Sequence, residues 1–222
     1  MDYAYLARAE AKMILASDAA VDAAKLSKMN NLIRMATAKE TPLEEEFGEV
    51  GKKLYRAREY GLASTVFDAL ISGSKSSLID QLYFANSVFY NAAQMDTTAR
   101  VNYQGEMLRA DSVYALVIEG SPTTQDTYFN RARINRYITN AEANTVKHFE
   151  EYIKVLEEKG EAEIAKASNK SKLVEAYASI GFFYIESEPD NDKALSYINK
   201  ALEYDPTDEY ALQLLDFLKS KK

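Results

Sequence analysis

Side chains that commonly carry out chemistry are scarce in this chain of 222 residues. It contains no Cys and one His, His148, so disulfides, thiolate metal sites and cysteine nucleophiles are excluded. A metal site at His148 would need further ligands one helical turn away. Glu151 is the only carboxylate at that spacing, since position 145 is a Thr. We therefore interpret His148 as a solvated or half-buried helix residue and expect no metal site.

Other catalytic patterns are also missing from the sequence. Adjacent carboxylates such as Glu150 and Glu151 recur along the charged segments, but exposed helix faces commonly carry such pairs. There is no Gly-rich phosphate loop, no Gly-x-Ser-x-Gly elbow and no clear set of Ser, His and Asp. The sequence therefore predicts a protein that is not an enzyme and that needs no cofactor.

Charge and hydropathy restrict the partners. The chain has 34 Asp and Glu residues against 27 Lys and Arg residues, a formal net charge of -7, which disfavours nonspecific binding to nucleic acid. Its longest weakly charged stretch, residues 81–95, is too short and too polar for a membrane-spanning helix, which needs about 20 apolar residues. We therefore expect no nucleic-acid partner and no direct insertion into a membrane.

The elements that position the side chains are predicted to be helices. Only 4 Pro and 8 Gly interrupt the chain, and its long periodic segments are rich in Ala, Leu, Tyr, Lys and Glu, which is typical of helices. Thr41 and Pro42 predict a helix start. Pro122 and Pro206 each follow an apolar helical run and precede a Thr, which predicts a helix end followed by a new cap.

A repeated spacing of small and large residues organises these helices. The first copy has offsets of 12, 16 and 19 residues from its glycine and consists of Gly51, Ala63, Phe67 and Leu70. The same order returns near the C-terminus, with a turn one residue longer, as Gly181, Ala194, Ile198 and Ala201. Facing small residues allow two helices to approach closely, and the larger ones fill the space around them.

This pattern resembles the tetratricopeptide repeat, a helix-turn-helix unit of about 34 residues, as found in bacterial proteins. The register extends along the chain: Ala85 lies 34 residues after Gly51, and Ala132 fills the small position expected after Ala110. The resemblance implies an all-α fold, a right-handed helical-repeat solenoid of antiparallel helix pairs with a C-terminal capping helix.

The resemblance covers nearly the whole chain, which we interpret as a single solenoid over residues 1–222 with about five degenerate repeats. The repeats are placed at approximately 1–40, 41–77, 78–124, 125–173 and 174–208, and the capping helix at 209–219. Residues 92–105 are interpreted as an insertion or a helix extension, and residues 157–172 as a longer connection. The register of the first repeat stays open.

The resemblance also implies a binding groove. In this family the first helix of each repeat lines the concave face, and the residue after the small position points into it. Those positions here, together with residues one helical turn away, are Arg8, Lys52, Tyr55, Asn86, Phe89, Phe129, Arg133, Arg136 and Phe182. A basic and aromatic groove of this kind would suit an acidic peptide. The alternative is that these are ordinary exposed helix residues.

One subtype of the family grips acidic chaperone tails with a carboxylate clamp, and its pattern fits this chain only in part. Asn86 and Asn130 match the two asparagines of the clamp. Leu82, Glu175 and Ser179 stand where the clamp needs Lys, Lys and Arg. Binding of chaperone tails is therefore not expected.

The function expected from the resemblance is an adaptor or scaffold that binds a protein or peptide ligand. The alternative is a structural or glycan- or envelope-assembly module of a larger bacterial cell-envelope lipoprotein, and a homodimer is also open. No secretory signal is visible at the N-terminus, where Asp2, Arg8 and Glu10 are charged. The sequence as it stands points to the cytoplasm, whereas a fragment of a secreted parent would belong to the periplasm or cell envelope.

Overall fold

The structure is a computed structural model that describes residues 3–17, 19–37, 45–72 and 76–220. All regular secondary structure in these ranges is helical, and they contain no strand. The helix start predicted at Thr41 and Pro42 lies outside the described residues. The chain divides into two compact units, Met1–Gly120 and Ser121–Lys222. The assignment of the chain to a single solenoid, with its repeat boundaries, stays a prediction.

The first unit, Met1–Gly120, has three helix pairs and one short helix in its described residues. In chain order its helices are α1 Tyr3–Leu15, α2 Ala23–Thr37, α3 Glu45–Arg56, α4 Tyr60–Ile71, α5 Leu78–Gln94, α6 Thr97–Asn102 and α7 Gln104–Gly120. Helix α1 packs on α2, α3 on α4 and α5 on α7. The first helices of the pairs also contact each other, α1 with α3 and α3 with α5, which is how stacked repeats share a core.

The second unit, Ser121–Lys222, is also built of packed helix pairs. Its helices are α8 Gln125–Asn135, α9 Glu142–Glu158, α10 Glu161–Ile164, α11 Ala167–Glu186, α12 Asn191–Tyr204 and α13 Glu209–Ser220. Helix α8 packs on α9, and α11 packs on α12, on α9 and on α13. Helix α13 covers the end of the last pair with the buried side chains Ala211, Leu214 and Leu218. It corresponds to the predicted capping helix.

The glycines of the repeated pattern lie where two helices of a pair approach closely. A Cβ atom on Gly51 of α3 would stand 2.6 Å from the ring of Phe67 on α4. The equivalent Cβ on Gly181 of α11 would stand 2.8 Å from Ile198 on α12. Ala85 and Ala132, which the register anticipated, are fully buried. The packing reason for the small residues is thus the one predicted from their spacing.

The segments that lengthen the repeats contain short helices. Residues 92–105 hold the end of α5, the six-residue α6 and the start of α7. Residues 157–172 hold α10 and the first turn and a half of α11. After Pro206, the side chain that caps α13 is Asp208, whose Oδ1 accepts from the N–H of Ala211 at 2.8 Å. Thr207, expected to provide this cap, instead donates to Asp205.

His148 lies on α9 and is buried, at 3% exposed, so the expectation of a solvated or half-buried residue was wrong. Its Nδ1 lies 2.8 Å from Oε2 of Glu151. Among the described residues no three metal-ligating side chains come together. Over those same ranges, none of the helices combines the length and the apolar character needed to cross a membrane.

Candidate functional site

The residues of the predicted groove fall into both units, and each unit is described by itself. In the first unit, Lys52 and Tyr55 lie on α3 beside a group of tyrosines. The ring of Tyr55 is 5.2 Å from those of Tyr60 and Tyr83 and 6.0 Å from that of Tyr90. Burial raises the pKa of Tyr55. Tyr55 therefore packs against three other tyrosines of the first unit.

Lys52 is likewise engaged. Its Nζ donates to Oε1 of Glu49 at 2.8 Å and lies 5.9 Å from the centre of the Tyr83 ring. The hydrogen bond to Glu49 raises the pKa of Lys52 and lowers that of Glu49. The positive charge predicted at this position is therefore balanced locally by a carboxylate one turn earlier on α3.

The other three residues predicted for the groove in the first unit differ in their burial and in their contacts. Asn86 accepts through Oδ1 from the hydroxyl of Tyr114 at 2.7 Å, which joins α5 to α7. Phe89 is 1% exposed and belongs to the core rather than to a surface. Arg8 lies half-buried on α1. Most of the groove residues predicted in the first unit therefore take part in contacts within that unit.

In the second unit the structure brings Arg133 and Arg136 together on one carboxylate. Oε1 of Glu175 on α11 accepts from Nη1 of Arg136 at 2.6 Å, and Nε of Arg133 lies 3.1 Å from the same oxygen in an ion pair. Nη2 of Arg136 also donates to Oγ of Ser179 at 3.1 Å, and Ser179 donates to the carbonyl of Glu175. We call Arg133, Arg136 and Glu175 the arginine clamp. Two cations and one anion leave it with a net charge of +1.

Phe129 lies beneath the clamp rather than in the groove. It is 2% exposed and packs against Phe149 and Tyr152. The guanidinium of Arg133 is 5.5 Å from its ring centre, and Nζ of Lys172 is 5.6 Å away. Cations above an aromatic face are attracted to it. The buried ring of Phe129 therefore stabilises the positive charges of Arg133 and Lys172.

Two cavities adjoin at the clamp. One of about 500 Å³ lies along the N-terminal half of α11, and one of about 290 Å³ lies along its C-terminal half. Arg136, Ser179 and Tyr210 line both. We refer to the two cavities together as the α11 groove.

The two ends of the α11 groove differ in chemistry. The smaller cavity is apolar and is lined by Ile138, Val146, Phe182 and Phe183, with Glu142 also on its wall. The larger cavity carries Lys170, Asp205 and Asp208. Hydrogen bonds from Thr207 lower the pKa of Asp205, so its carboxylate stays ionised near neutral pH. The lining of the groove is therefore acidic in excess, because its cations are Arg136 and Lys170 and its carboxylates are Glu142, Glu175, Asp205 and Asp208.

Several lining residues were not among the predicted site residues. Glu175 and Ser179 appeared in the sequence only as mismatches to the chaperone clamp, and Tyr210 did not stand out. The sequence could have placed Glu175 and Ser179 beside Phe182, because positions 171, 175, 179 and 182 share one helix face. Tyr210 lies on α13, and no spacing within α11 could have placed it there.

Comparison with solved structures relates the chain to other helical-repeat proteins. It matches the structure titled "MamA RS-1 ArsTM double mutant" with a TM-score of 0.55 and 13% identity, covering 94% of this chain and 98% of that one. It matches a crystal structure of MamA protein with a TM-score of 0.55 and 14% identity, covering 92% and 93% of the two chains. A thermophilic TPR protein of Thermus thermophilus aligns with a TM-score of 0.49 and 15% identity over 98% and 97%.

In comparisons of sequence, no protein-family profile and no curated protein matches the chain. At identities this low, structural likeness establishes the fold and not the function. Three observations indicate the same fold: the packed helix pairs, the close helix approach at Gly51 and Gly181, and the structural matches. The chain therefore has the all-α, tetratricopeptide-type helical-repeat fold that its residue register predicted.

Proposed function

We propose that this protein is an adaptor or scaffold whose α11 groove binds a peptide segment of a partner protein. The observation that carries the proposal is the meeting of two cavities at Arg136, beside α11, a helix that the repeat register assigned to the concave face. Side chains of α9, α12 and α13 complete the walls of the cavities. Helical-repeat folds use such faces to bind extended segments.

The dimensions of the groove suit a peptide. Helix α11 has 20 residues and is therefore about 30 Å long. An extended chain advances about 3.3 Å per residue, so roughly nine residues would cover the helix. The groove offers such a segment apolar surface at Phe182 and charged hydrogen-bond donors at the clamp, a combination common at the centre of binding interfaces.

The chemistry of the clamp supports binding rather than catalysis. A guanidinium stays protonated at all ordinary pH values, so Arg133 and Arg136 cannot exchange protons with a substrate. They can hold a carboxylate through parallel N–H donors. We therefore propose a protein partner and no reaction at this site.

The proposal is tested by a pair of variants with the same change of charge. Arg136→Glu reverses a charge in the groove, whereas Lys147→Glu reverses one on α9, where Lys147 is exposed and lines neither cavity. Quantitative affinity capture from the source cell should lose specific partners about tenfold with Arg136→Glu and retain them with Lys147→Glu. Circular dichroism should show both variants folded. Equal capture by the two variants would count against the groove.

A further inference from the structure

We propose that copies of this chain associate head to tail, with the exposed side of α1 in one copy packed against the exposed side of α13 in the next. This inference is independent of the proposed function, because neither surface lines the α11 groove. The α1 outer face consists of Tyr5, Leu6, Ala9 and Met13, and the α13 outer face consists of Glu209, Leu212, Gln213 and Asp216.

The first support is that α1 carries apolar side chains around its whole circumference. Only three of its 13 residues are charged. Ala7, Ala11 and Ile14 are buried, and α1 packs on α2 and α3. On the opposite side Tyr5 is 66% exposed and Met13 is 51% exposed. A helix that is apolar all round is normally covered on every side, so the α1 outer face is suited to a further helix.

The second support is the place of the two helices in the repeat. First helices contact one another along the first unit, α1 with α3 and α3 with α5. The α1 outer face therefore lies where the first helix of another pair would pack. In the second unit, α13 packs on both α11 and α12, as α5 packs on α3 and α4. Helix α13 thus has the position of a first helix, and α1 of another copy would continue the series.

The third support is the opposite charge of the two segments. Residues 3–37 contain five Lys and Arg residues and three Asp and Glu residues, a formal net charge of +2. Residues 174–222 contain ten Asp and Glu residues and five Lys residues, a formal net charge of -5. Opposite charges favour the contact of α1 with α13, whereas a contact between two α1 faces or two α13 faces would bring like charges together.

The α13 outer face has the matching chemistry. Leu212 is 38% exposed and offers an apolar contact to Tyr5 or Met13. Asp216 and Glu209 lie two helical turns apart on either side of it, and the Asp216 side chain is 79% exposed. This face therefore combines one apolar contact with two carboxylates, which suits an apolar helix in a basic segment.

A contact between two different faces is heterologous, so it does not end at a dimer. Two joined copies leave one α1 outer face and one α13 outer face unused, and further copies can add to them. Helix α1 has 13 residues and is about 20 Å long, so the contact is small. Small interfaces are typical of weak association, and the assembly should therefore depend on protein concentration.

Sedimentation velocity of the full chain tests the inference, at concentrations from about 1 to 200 µM that suit a weak contact. The mean sedimentation coefficient of the wild type should rise with concentration and pass the value of a dimer. Raising NaCl from about 0.05 M to about 0.5 M should weaken the association about tenfold, because salt screens the attraction between the charged segments.

Two variants, each with one altered face, identify the surfaces in contact. Met13→Glu places a carboxylate in the α1 outer face, and Asp216→Lys reverses a charge in the α13 outer face. Each variant alone should stay monomeric, whereas an equimolar mixture should form a heterodimer and nothing larger, because one intact face of each kind remains. Leu108→Glu is the matched control on α7, where Leu108 is 53% exposed, and it should assemble like the wild type.

Several results would overturn the inference. A wild type that is monomeric at every concentration, a mixture that stays monomeric, or a Leu108→Glu protein that no longer assembles would each do so. Dimers of Asp216→Lys alone would pair α1 with a second α1, and dimers of Met13→Glu alone would pair α13 with a second α13, which also contradicts the head-to-tail contact. Circular dichroism should show every variant folded. Arg136→Glu should assemble like the wild type, so failure of this inference leaves the proposed function standing, and the reverse holds as well.

Discussion

Arg136 follows the last helical residue of α8 and reaches both Glu175 and Ser179 on α11. The repeat register predicted that Arg133 and Arg136 lie on the inner side of their helix, because that depends only on spacing within one helix. It did not predict their shared carboxylate, because that depends on the distance and rotation between α8 and α11. The sequence therefore predicts which residues one helix contributes to such a site, but not their partners on a second helix.

The buried aromatic residues show the same limit. Phe89 and Phe129 occupy positions that the family pattern assigns to the groove, yet they are 1% and 2% exposed. A position on the inner helix face does not decide whether a large apolar side chain points outward or packs between neighbours. Apolar contacts with Tyr152 and Phe149 hold Phe129 in the core.

At the residue scale, Tyr197 gives a pH-dependent prediction. Its hydroxyl donates to Oε1 of Glu150 at 2.9 Å, and burial, followed by this hydrogen bond, raises the pKa of Tyr197 from 10.0 to about 12. Because the folded state holds the proton more tightly than the unfolded state, this stabilisation is complete below pH 10 and is lost as the pH rises towards 12.

The corresponding measurement is urea unfolding at pH 8, 9.5 and 11. The wild type should lose more stability between pH 9.5 and 11 than Tyr197→Phe, which has no proton to release at this position. Parallel loss in the two proteins would show that Tyr197 does not couple folding to pH.

At the scale of elements, the long helices follow from the sequence and the short ones do not. The residues that set the pattern are buried along α3, α4, α11 and α12. Helices α6 and α10 have six and four residues, too few for a periodic pattern to be recognised. Helix α11 begins at Ala167, seven residues before the predicted repeat, because residues 167–173 contain neither Gly nor Pro to interrupt it.

Close helix approach at Gly51 and Gly181 gives a prediction for the helix pairs. Gly51→Ala and Gly181→Ala should each lower the free energy of unfolding by about 1–3 kcal/mol, because the added Cβ would overlap a buried side chain. Gly105→Ala is the matched control on α7, where the added Cβ would have no described atom within 4 Å apart from its chain neighbours and the backbone of its own helix. It should stabilise the helix by about 0.5–1 kcal/mol.

Urea denaturation followed by circular dichroism distinguishes these variants. A Gly51→Ala protein as stable as the wild type would mean that the α3 and α4 backbones can separate without penalty. The spacing of small residues would then have another cause.

At the scale of the whole molecule, the sequence predicted the fold class, and its assignment of the chain to one array stays a prediction. The structure shows two compact units that meet in the chain between Gly120 and Ser121. A repeat register describes how neighbouring helices pack, and it carries no signal for where a chain divides into compact units. The envelope-module alternative gains no specific support from either unit and stays a prediction.

The division into units predicts that residues 121–222 fold when produced alone. Their core includes Phe149, Tyr152, Ile180 and Ile198 and is capped by α13. Circular dichroism should show helical structure that unfolds cooperatively with urea. A fragment that is unfolded at all urea concentrations would indicate that the second unit depends on the first.

The central claim, that a partner protein lies in the α11 groove, is tested most directly by site-specific photo-crosslinking in the source cell. A benzoylphenylalanine at Phe182, which lines the smaller cavity, is compared with one at Phe217 on α13, which lines neither. The two side chains are 44% and 41% exposed, so chance collisions should label them equally. We predict a discrete crosslinked partner at position 182 that is absent at 217 and is lost with Arg136→Glu. Equal crosslinking at the two positions, or a partner captured only at 217, would contradict the account.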